Sequence, residues 1–332
     1  MAAILPTGKV PPALLDRLLA GLPKGDQVLI GARYGEDAAV VAGRDDECWV
    51  ITADPITFAT DQLGWYLVQV NANDVASMGA RPEFFTATLL FRAGKTTHQQ
   101  VEECFGQIQQ ACRDLGVSWI GGHTEVTGSV TQVVACGQMI GRVARSRLVT
   151  SSGAKPRDDI VLVGMLGIEG TAILAREKRM ELLHHFAPEF LDRAAQFLFD
   201  PGIGIAKAAH LACEAAPLHA MHDPTEGGLS TAIRELGTAS DLGAVLFDQT
   251  LPVAEATRAL CAFFGIDILG LISSGSLLLT CDPLHTPSLL ETMHRARVPA
   301  ACIGQMQPAS AGFRIGPRPL PIFECDELAR VI

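Results

Sequence analysis

Apolar and polar residues follow each other along this chain in patterns that predict a mixed α/β protein. Apolar side chains at helical spacing predict helices over residues 11–21, 64–78, 97–115, 170–178, 189–198, 203–215, 227–239, 253–264 and 286–296. Runs rich in β-branched and aromatic residues predict strands at A-A-V-V, C-W-V-I-T, F-F-T-A-T-L-L-F, V-S-W-I, residues 131–143, D-I-V-L-V-G, A-V-L-F, S-L-L-L-T and A-C-I-G-Q-M. The first half therefore reads β-β-α-β-α-β-β, with its helices on one face of a sheet.

The stretch S-S-G-A-K-P-R-D-D at 151–159 is small, polar and proline-bearing, which predicts a boundary between domains. A length of 332 residues also suits two domains better than one. We place the first domain at 1–150 and the second at 151–332, and both are mixed α and β. The predicted fold class is α/β (α+β).

Composition restricts the classes of function that this chain could have. Hydrophobic residues make up 48% and charged residues 19%, so sizeable cores are expected, and the net charge is -10. An acidic chain is a poor general binder of nucleic acid but can still hold a nucleotide through amides and metal ions. No signal peptide and no membrane span are predicted. The nine cysteines are odd in number and scattered, which favours reduced thiols and a cytoplasmic location.

Four acidic residues share one setting near predicted strand ends. Asp37 enters a strand in G-E-D-A-A-V-V, and Asp54 follows one in I-T-A-D-P. Asp74 lies on a helix in N-A-N-D-V-A-S-M-G-A-R-P, and Glu125 follows a strand and a glycine pair in W-I-G-G-H-T-E-V. Carboxylates at a core edge need partners, and a hard cation such as Mg²⁺ takes oxygen ligands together with substrate phosphates. One bound cation would offset the cost of removing all four carboxylates from water, so we favour metal-assisted chemistry on a phosphate.

Other interpretations of these residues are open. Each acid could instead cap a turn or helix, or pair with one of three arginines, which are Arg33, Arg81 and Arg92. His123 could be a hydrogen-bonded core histidine or a site residue, and Asn73 could bind a ligand or cap a turn. Neither a G-x-x-x-x-G-K-[ST] loop nor a kinase-type glycine loop followed by V-A-I-K is present, so an ATP site in this chain would be built from a different motif.

The stretch M-H-D-P-T-E-G-G-L-S at 221–230 is polar between two apolar segments. The pattern predicts that His222 and Asp223 end a strand and that a helix starts at Gly227, where unpaired backbone N–H groups meet any ligand. Thr225 is the expected helix cap, with Asp223 also available. A plain cap needs fewer polar groups than this stretch supplies, which favours a site, although Glu226 would repel phosphate without a cation between them.

Taken together, G-E-D-A-A-V-V, A-D-P-I-T, N-A-N-D-V-A-S-M-G-A-R-P, G-G-H-T-E-V and D-P-T-E-G-G-L resemble the aminoimidazole ribonucleotide synthetase (PurM) superfamily. Its branches include that purine enzyme, the hydrogenase-maturation factor HypE, selenophosphate synthetase and thiamine-monophosphate kinase. The resemblance runs in order from about residue 30 to about residue 307 and is strongest to HypE, through L-P-V-A-E-A-T-R-A-L-C-A-F-F-G-I-D-I-L-G, S-S-G-S-L-L-L-T and C-I-G-Q-M.

The resemblance implies a PurM-like fold of two α/β domains, in which two first domains join across a homodimer axis into a β-barrel. It also implies a cleft between barrel and second domain that binds ATP with Mg²⁺. On this basis we expect Asp54, His123 and Asp223 to serve catalysis and Asp37, Asp54 and Asp74 to hold metal. The expected ATP-binding residues are Asp37, Asn73, Asp74, Gly121, Gly122, Glu125, Thr225, Gly227 and Gly228.

Two departures separate this chain from HypE. HypE ends in P-R-I-C, with a terminal cysteine that carries the group being dehydrated, whereas this chain ends P-L-P-I-F-E-C-D-E-L-A-R-V-I. Cys325 has seven residues after it, so we expect it to be buried or idle. His222 and Glu226 stand where HypE tends to carry arginine, which leaves the carbamoyl-type substrate open.

Three functions fit the sequence. The leading hypothesis is an ATP- and Mg²⁺-dependent HypE-like enzyme that activates or phosphorylates an oxygen of a small molecule or a carrier-bound group. The second is a small-molecule kinase resembling thiamine-monophosphate kinase. The third is a nucleotide-binding regulatory or scaffold protein without turnover. Nucleic acid and membrane are not expected partners.

Overall fold

The computed structural model describes residues 5, 8–56, 59, 61–247 and 249–332. Within these residues the chain forms two seven-stranded sheets, each flanked by helices. One sheet takes its strands from the first half of the chain and the other from the second half, so the predicted two-domain α/β class is confirmed. The last residue of the A-D-P-I-T turn, Thr57, lies outside the described residues.

The first sheet has the order β1-β2-β3-β7-β5-β6, and β4 pairs with β7. Its strands are β1 (Val28–Ile30), β2 (Ala39–Ala42), β3 (Glu47–Thr52), β4 (Pro55–Ile56), β5 (Arg81–Arg92), β6 (Ser118–Thr127) and β7 (Val134–Ala144). The helices of this half are α1 (Pro12–Leu19), α2 (Leu63–Ser77) and α3 (His98–Leu115). Strand β6 forms one edge of the sheet, and it pairs in parallel with β5.

The helices of this half differ in how the sequence specifies them. Helix α3 begins with a capping box, in which the Thr97 hydroxyl and the Gln100 side chain each accept a backbone N–H of the other residue, and it ends at Gly116 in the left-handed region. Helix α2 has no such cap and is buried along nearly its whole length. Helix α2 is therefore held mainly by packing against both domains.

The second sheet has the order β14-β13-β10-β12-β8-β11-β9. Its strands are β8 (Asp159–Val163), β9 (Leu218–His222), β10 (Leu242–Leu246), β11 (Leu277–Cys281), β12 (Ala300–Pro308), β13 (Phe313–Ile315) and β14 (Arg318–Pro319). The helices are α4 (Ile168–Glu177), α5 (Arg179–Leu182), α6 (Pro188–Gln196), α7 (Ala206–Ala215), α8 (Gly228–Ala239), α9 (Glu255–Phe264) and α10 (Thr286–Arg295). Strands β8 and β11 are mostly apolar, with four of five residues buried in β8 and all five in β11, because both of their faces are covered.

The two halves pack through α2. The Asn73 side chain bridges to the second half, where its amide nitrogen donates to the Ile203 carbonyl at 2.8 Å and its oxygen accepts the Ile205 N–H at 2.9 Å. Tyr66, on the same helix, belongs to an apolar cluster made mostly of second-half residues. These contacts fix the two halves against each other and leave a cleft beside α2.

The structure corrects one strand end. We expected the strand beginning at V-S-W-I to stop at the glycine pair, but β6 continues to Thr127. Gly121 and Gly122 have φ values of +156° and +142°, and the pairing of β5 with β6 shifts register at this point. A Cβ on Gly122 would lie 1.9 Å from the Ala87 carbonyl oxygen, so glycine here permits an irregularity inside the strand. His123 and Glu125 consequently lie within β6.

Candidate functional site

A cleft of about 960 Å³ lies between the two halves of the chain. Helix α2 supplies Tyr66, Val70 and Asp74 to its wall, which are spaced one helical turn apart. The second half supplies the stretch around Asp223 and the start of α4. Among the described residues, the walls carry ten Asp and Glu side chains against three Lys and Arg side chains, so the cleft is strongly acidic.

Two predicted acids meet on the first-domain side of the cleft. The Thr52 hydroxyl donates to Asp74 Oδ2 at 2.7 Å and lies 3.4 Å from Asp54 Oδ2, so one threonine joins both carboxylates. Asn71 holds the Asp54 backbone, because its Oδ1 accepts the Asp54 N–H at 3.0 Å and its amide nitrogen donates to the Asp54 carbonyl at 3.2 Å. The end of β3 and the buried face of α2 thus hold these acids together.

The third acid, Asp37, reaches across to the second half. Its Oδ1 lies 2.5 Å from Nδ1 of His222, whose Nε2 lies 3.1 Å from Oε2 of Glu235 on α8. All three side chains are buried. Lys9, whose side chain is half exposed, lies 3.5 Å from the other oxygen of Glu235. Asp37 therefore pairs with a histidine, whereas the nearby Arg33 pairs with Glu36.

Burial and neighbouring charges perturb the pKa values of this cluster. Burial, with the nearby carboxylate of Asp54, raises the pKa of Asp74 well above its usual value. Burial, with the Asp37 carboxylate, does the same to the pKa of Asp223. Burial opposes the charged form of His222, but Asp37 and Glu235 outweigh it and raise the pKa of that imidazole well above its usual value. The cluster thus has more negative charge than its own cations balance.

Two carboxylate oxygens in the cleft, Asp37 Oδ2 and Asp223 Oδ2, are buried and have no hydrogen-bond partner. Unpartnered buried oxygens of this kind are costly, and a cation would satisfy them. In the described part of the chain, no three His, Cys, Asp or Glu side chains are grouped so that they alone could hold a metal ion. Mg²⁺ commonly takes only one or two protein carboxylates and completes its shell with phosphate and water, so the acids fit a magnesium ion that arrives with a phosphate.

The start of α8 departs from the predicted cap. The N-cap residue is Gly227, at φ +84°, and Thr225 makes no side-chain bond to the helix. The Gly227 N–H instead donates at 2.6 Å to Oδ2 of Asp326, which comes from the end of the chain. A Cβ on Gly228 would lie 2.6 Å from the Leu271 carbonyl oxygen, so this glycine permits a close approach of protein backbone. We were wrong to expect Thr225 as the cap.

Several predicted residues line the cleft and others do not. Asp37, Asp54, Asp74, Asp223, Thr225 and Gly227 do. Gly121, Gly122, His123 and Glu125 lie instead on the exposed edge strand β6, where His123 Nε2 is 3.1 Å from Glu125 Oε2. Asn73 is fully buried in the domain contact and does not line the cleft. Gly228 packs against backbone outside the cleft wall.

Sequence reasoning missed several residues of this site, which are Thr52, Tyr66, Asn71, Glu169, Glu235 and Asp326. Thr52 and Asn71 stand two or three residues from predicted acids, and that proximity was an available signal. Tyr66, Glu169 and Glu235 lie in ordinary helical patterns without a local cue. Asp326 follows Cys325 in a segment without a recognisable motif.

The end of the chain forms part of the cleft wall. Leu328 is buried in the second-half core, and the Phe323 ring packs against Gly270. The half-buried Cys325 lines the cleft beside Asp326. All nine cysteines are free thiols. Among the described residues, no helix combines the length and the apolar character needed to cross a membrane.

The site is thus an acidic cleft between two α/β domains, and both domains contribute carboxylates to it. The AIR synthase related protein family matches through its N-terminal domain at residues 35–143 and its C-terminal domain at residues 155–315. The chain belongs to this family, and the predicted superfamily is confirmed.

Individual proteins and solved structures are also similar to this chain. The carbamoyl dehydratase HypE of Cupriavidus necator is 28% identical over 272 residues, which cover 79% of this chain and 73% of that protein. A crystal structure of the hydrogenase maturation protein HypE in complex with ATP has a TM-score of 0.70 at 21% identity and covers 95% of this chain and 91% of its own. The thiamine-monophosphate kinase of Stenotrophomonas maltophilia has a TM-score of 0.70 at 23% identity, with coverage of 93% and 97%. The two structures show that the fold is shared.

Proposed function

We propose that this protein is an ATP- and Mg²⁺-dependent enzyme that activates or phosphorylates an oxygen of a small-molecule or carrier-bound substrate. The observation that carries this proposal is the pair of buried, unpartnered oxygens of Asp37 and Asp223 in an acidic cleft. An anionic substrate would be repelled from such a cleft unless cations came with it. The similarity to a carbamoyl dehydratase and the fold shared with an ATP-bound protein support the same conclusion.

Within this proposal the residues have separate tasks. Asp54 and Asp74, joined by Thr52, would hold magnesium from the first domain, while Asp37 and Asp223 lie at the junction with the second. Bound magnesium would neutralise charge on the phosphate oxygens as it develops. Asn71 positions Asp54 through its backbone. His222 keeps Asp37 in place, because its ring bridges Asp37 and Glu235.

The proposed enzyme is a homodimer. Strand β6 is a ten-residue edge strand, exposed along most of its length, that presents Ile120 and Val126, each 58% exposed. A long edge with apolar side chains is a template for pairing with another strand. Pairing of β6 between two copies would cover these side chains, and it would carry His123 and Glu125 into an interface. Their predicted site roles are proposals that depend on this dimer.

The test is calorimetry of Mg-ATP binding to the full chain, followed by product analysis of ATP turnover. Asp54→Asn should weaken Mg-ATP binding by about tenfold or more, because a carboxylate that meets the cation is lost. Asp192→Asn, at an exposed acid on α6, is the matched control. Phosphate release with an altered acceptor supports activation, and a phosphorylated acceptor supports a kinase. Unchanged affinity in Asp54→Asn would remove that acid from the site, and tight binding without turnover would favour a scaffold.

A further inference from the structure

One part of the cleft lies apart from the carboxylates that meet the proposed magnesium. Tyr66, Val70 and Asp74 line the cleft on successive turns of α2. At 1.5 Å per residue, Tyr66 stands roughly 12 Å along the helix from Asp74. Ile56 and Ala59 lie in the wall near it, and both pack on the same apolar cluster as Tyr66. This end of the cleft is therefore a separate region with apolar walls.

The second half closes this region with α4. Glu169 and Ile173 line the cleft one helical turn apart, and Ile272 lies in the wall beside them. Ile173 and Ile272 pack in the cluster that contains Tyr66. Glu169 is 4% exposed, and its Oε2 accepts the Ser274 N–H at 3.1 Å. Among the described residues, no lysine or arginine forms an ion pair with Glu169, so its charge in this region is not neutralised.

A second polar group in the region is unused. Tyr66 is 1% exposed, and its hydroxyl is buried without a hydrogen-bond partner. Burial and the neighbouring Glu169 carboxylate raise the pKa of Tyr66 well above its usual value, so the hydroxyl keeps its proton near neutral pH. The Tyr66 hydroxyl therefore has hydrogen-bonding capacity to offer a ligand in a cavity that also contains the Glu169 carboxylate.

We propose that the region between Tyr66 and Glu169 binds the acceptor substrate, and that this acceptor carries a positively charged nitrogen beside an apolar group. The cationic nitrogen would pair with Glu169 and donate to the Tyr66 hydroxyl, while the apolar part lies against Ile173 and Ile272. The excess of acids in the cleft walls favours a cation over an anion here. Its assignment as the acceptor end rests on the proposed function, in which the phosphate lies beside Asp54 and Asp74.

The test uses two probes of the same shape and different charge, benzylamine and benzyl alcohol. Binding to the full chain is measured at about pH 8, where Glu169 is charged, through the methyl NMR signals of ¹³C-labelled isoleucines. Benzylamine should shift the Ile173 and Ile272 signals and bind about tenfold or more tightly than benzyl alcohol. Glu169→Gln should remove this preference, and Tyr66→Phe should weaken benzylamine a few-fold. Glu189→Gln, at an exposed acid on α6, is the matched control and should change neither probe.

Several results would overturn the proposal. These are equal affinity for the two probes, an unchanged preference in Glu169→Gln, and shifts of isoleucine signals only outside the cleft. The Mg-ATP affinity of the same variants, measured by calorimetry, distinguishes a failure of this cation site from a failure of the proposed function. Glu169→Gln should bind Mg-ATP like the wild type, which also shows that the variant is folded. A chain that selects benzylamine but does not bind Mg-ATP would keep the cation site and lose the proposed activity.

Discussion

Oδ1 of Asp37 and Nδ1 of His222 lie 2.5 Å apart, although the two residues are 185 positions apart in the chain and each belongs to a different half of the protein. The histidine also contacts Glu235, so one imidazole joins a first-domain carboxylate to a second-domain helix. Because both carboxylates are buried, a positive charge between them compensates for part of the cost of removing them from water. The pair thus links domain packing to the shape of the cleft.

His222→Gln should therefore destabilise the protein strongly. The change removes a cation from between two buried carboxylates, and we expect a loss of about 3 to 5 kcal/mol in the free energy of unfolding. Urea denaturation near neutral pH measures it. His294→Gln, at an exposed histidine on α10, is the matched control and should stay within about 0.5 kcal/mol. A His222→Gln variant as stable as this control would mean that the buried pair contributes little.

Glu169 gives a pH-dependent prediction. Burial, opposed by the hydrogen bonds from Ser274, raises the pKa of Glu169 from 4.5 to about 7. A raised folded-state pKa means that the protonated acid stabilises the fold at low pH and that this contribution is lost as pH rises through about 7. Glu169→Gln has no such loss, because its amide stays neutral while its oxygen can still accept the Ser274 N–H. The stability of the variant relative to wild type should rise by about 2 kcal/mol from pH 5 to pH 8.

Urea denaturation at both pH values measures this difference. Glu189→Gln removes the same charge from an exposed position on α6 and should show no comparable rise. A difference between Glu169→Gln and wild type that does not change with pH would show that the acid is ionised throughout. A gain in stability at a cleft residue would fit a group kept for function at a cost to the fold.

The sequence was most informative where local chemistry sets the structure. Helix α3 was predicted to within one residue, since its amphipathic pattern runs between a capping threonine and a left-handed glycine. Asp54 and Asp74, which were predicted from a strand end and from a helix that ends at glycine, do lie together in the cleft wall, and their roles there stay predictions. The extension of β6 through Gly121 and Gly122 was missed, because glycine is typical both of strand ends and of irregularities within strands.

Partners distant in the chain could not be predicted. Nothing near His222 points to Asp37, and nothing near Gly227 points to Asp326, because both pairings depend on tertiary packing. Glu169 and Tyr66 lie within helices whose patterns explain them without a cleft. The prediction considered arginines and a metal as partners of the acids, but not a histidine. His222 serves as such a partner because the carboxylates around it raise its pKa and favour the charged imidazole.

The edge strand β6 gives a prediction about assembly. The Ile120→Lys, Val126→Lys double variant replaces two exposed apolar side chains of β6 with charges. Light scattering should give wild type at twice the 35.3 kDa chain mass and the double variant at one chain mass. Leu284→Lys, at a residue 85% exposed outside β6, is the control and should stay dimeric. A wild-type mass of one chain would contradict the proposed pairing.

The end of the chain should contribute to stability through two residues. Leu328 is buried in the second-half core, so Leu328→Ala should cost about 2 to 5 kcal/mol. Asp326 accepts the Gly227 N–H at 2.6 Å and the Leu328 N–H at 2.8 Å, so Asp326→Ala should cost about 1 to 2 kcal/mol, as the loss of a helix cap does. Truncation after Pro321 removes both and should destabilise more than either, so it is a poor test of Cys325 alone.

Urea denaturation of these variants measures each cost. Glu324→Ala, at an exposed neighbour in the same segment, is the control and should stay within about 0.5 kcal/mol. If the truncated chain unfolded at the same urea concentration as wild type, the segment would be a surface addition and its contact with α8 would carry little energy. A large loss would instead mean that the residues after Cys325 hold it in the cleft wall. Cys325 would then not lie on a mobile segment that could carry its thiol to a substrate.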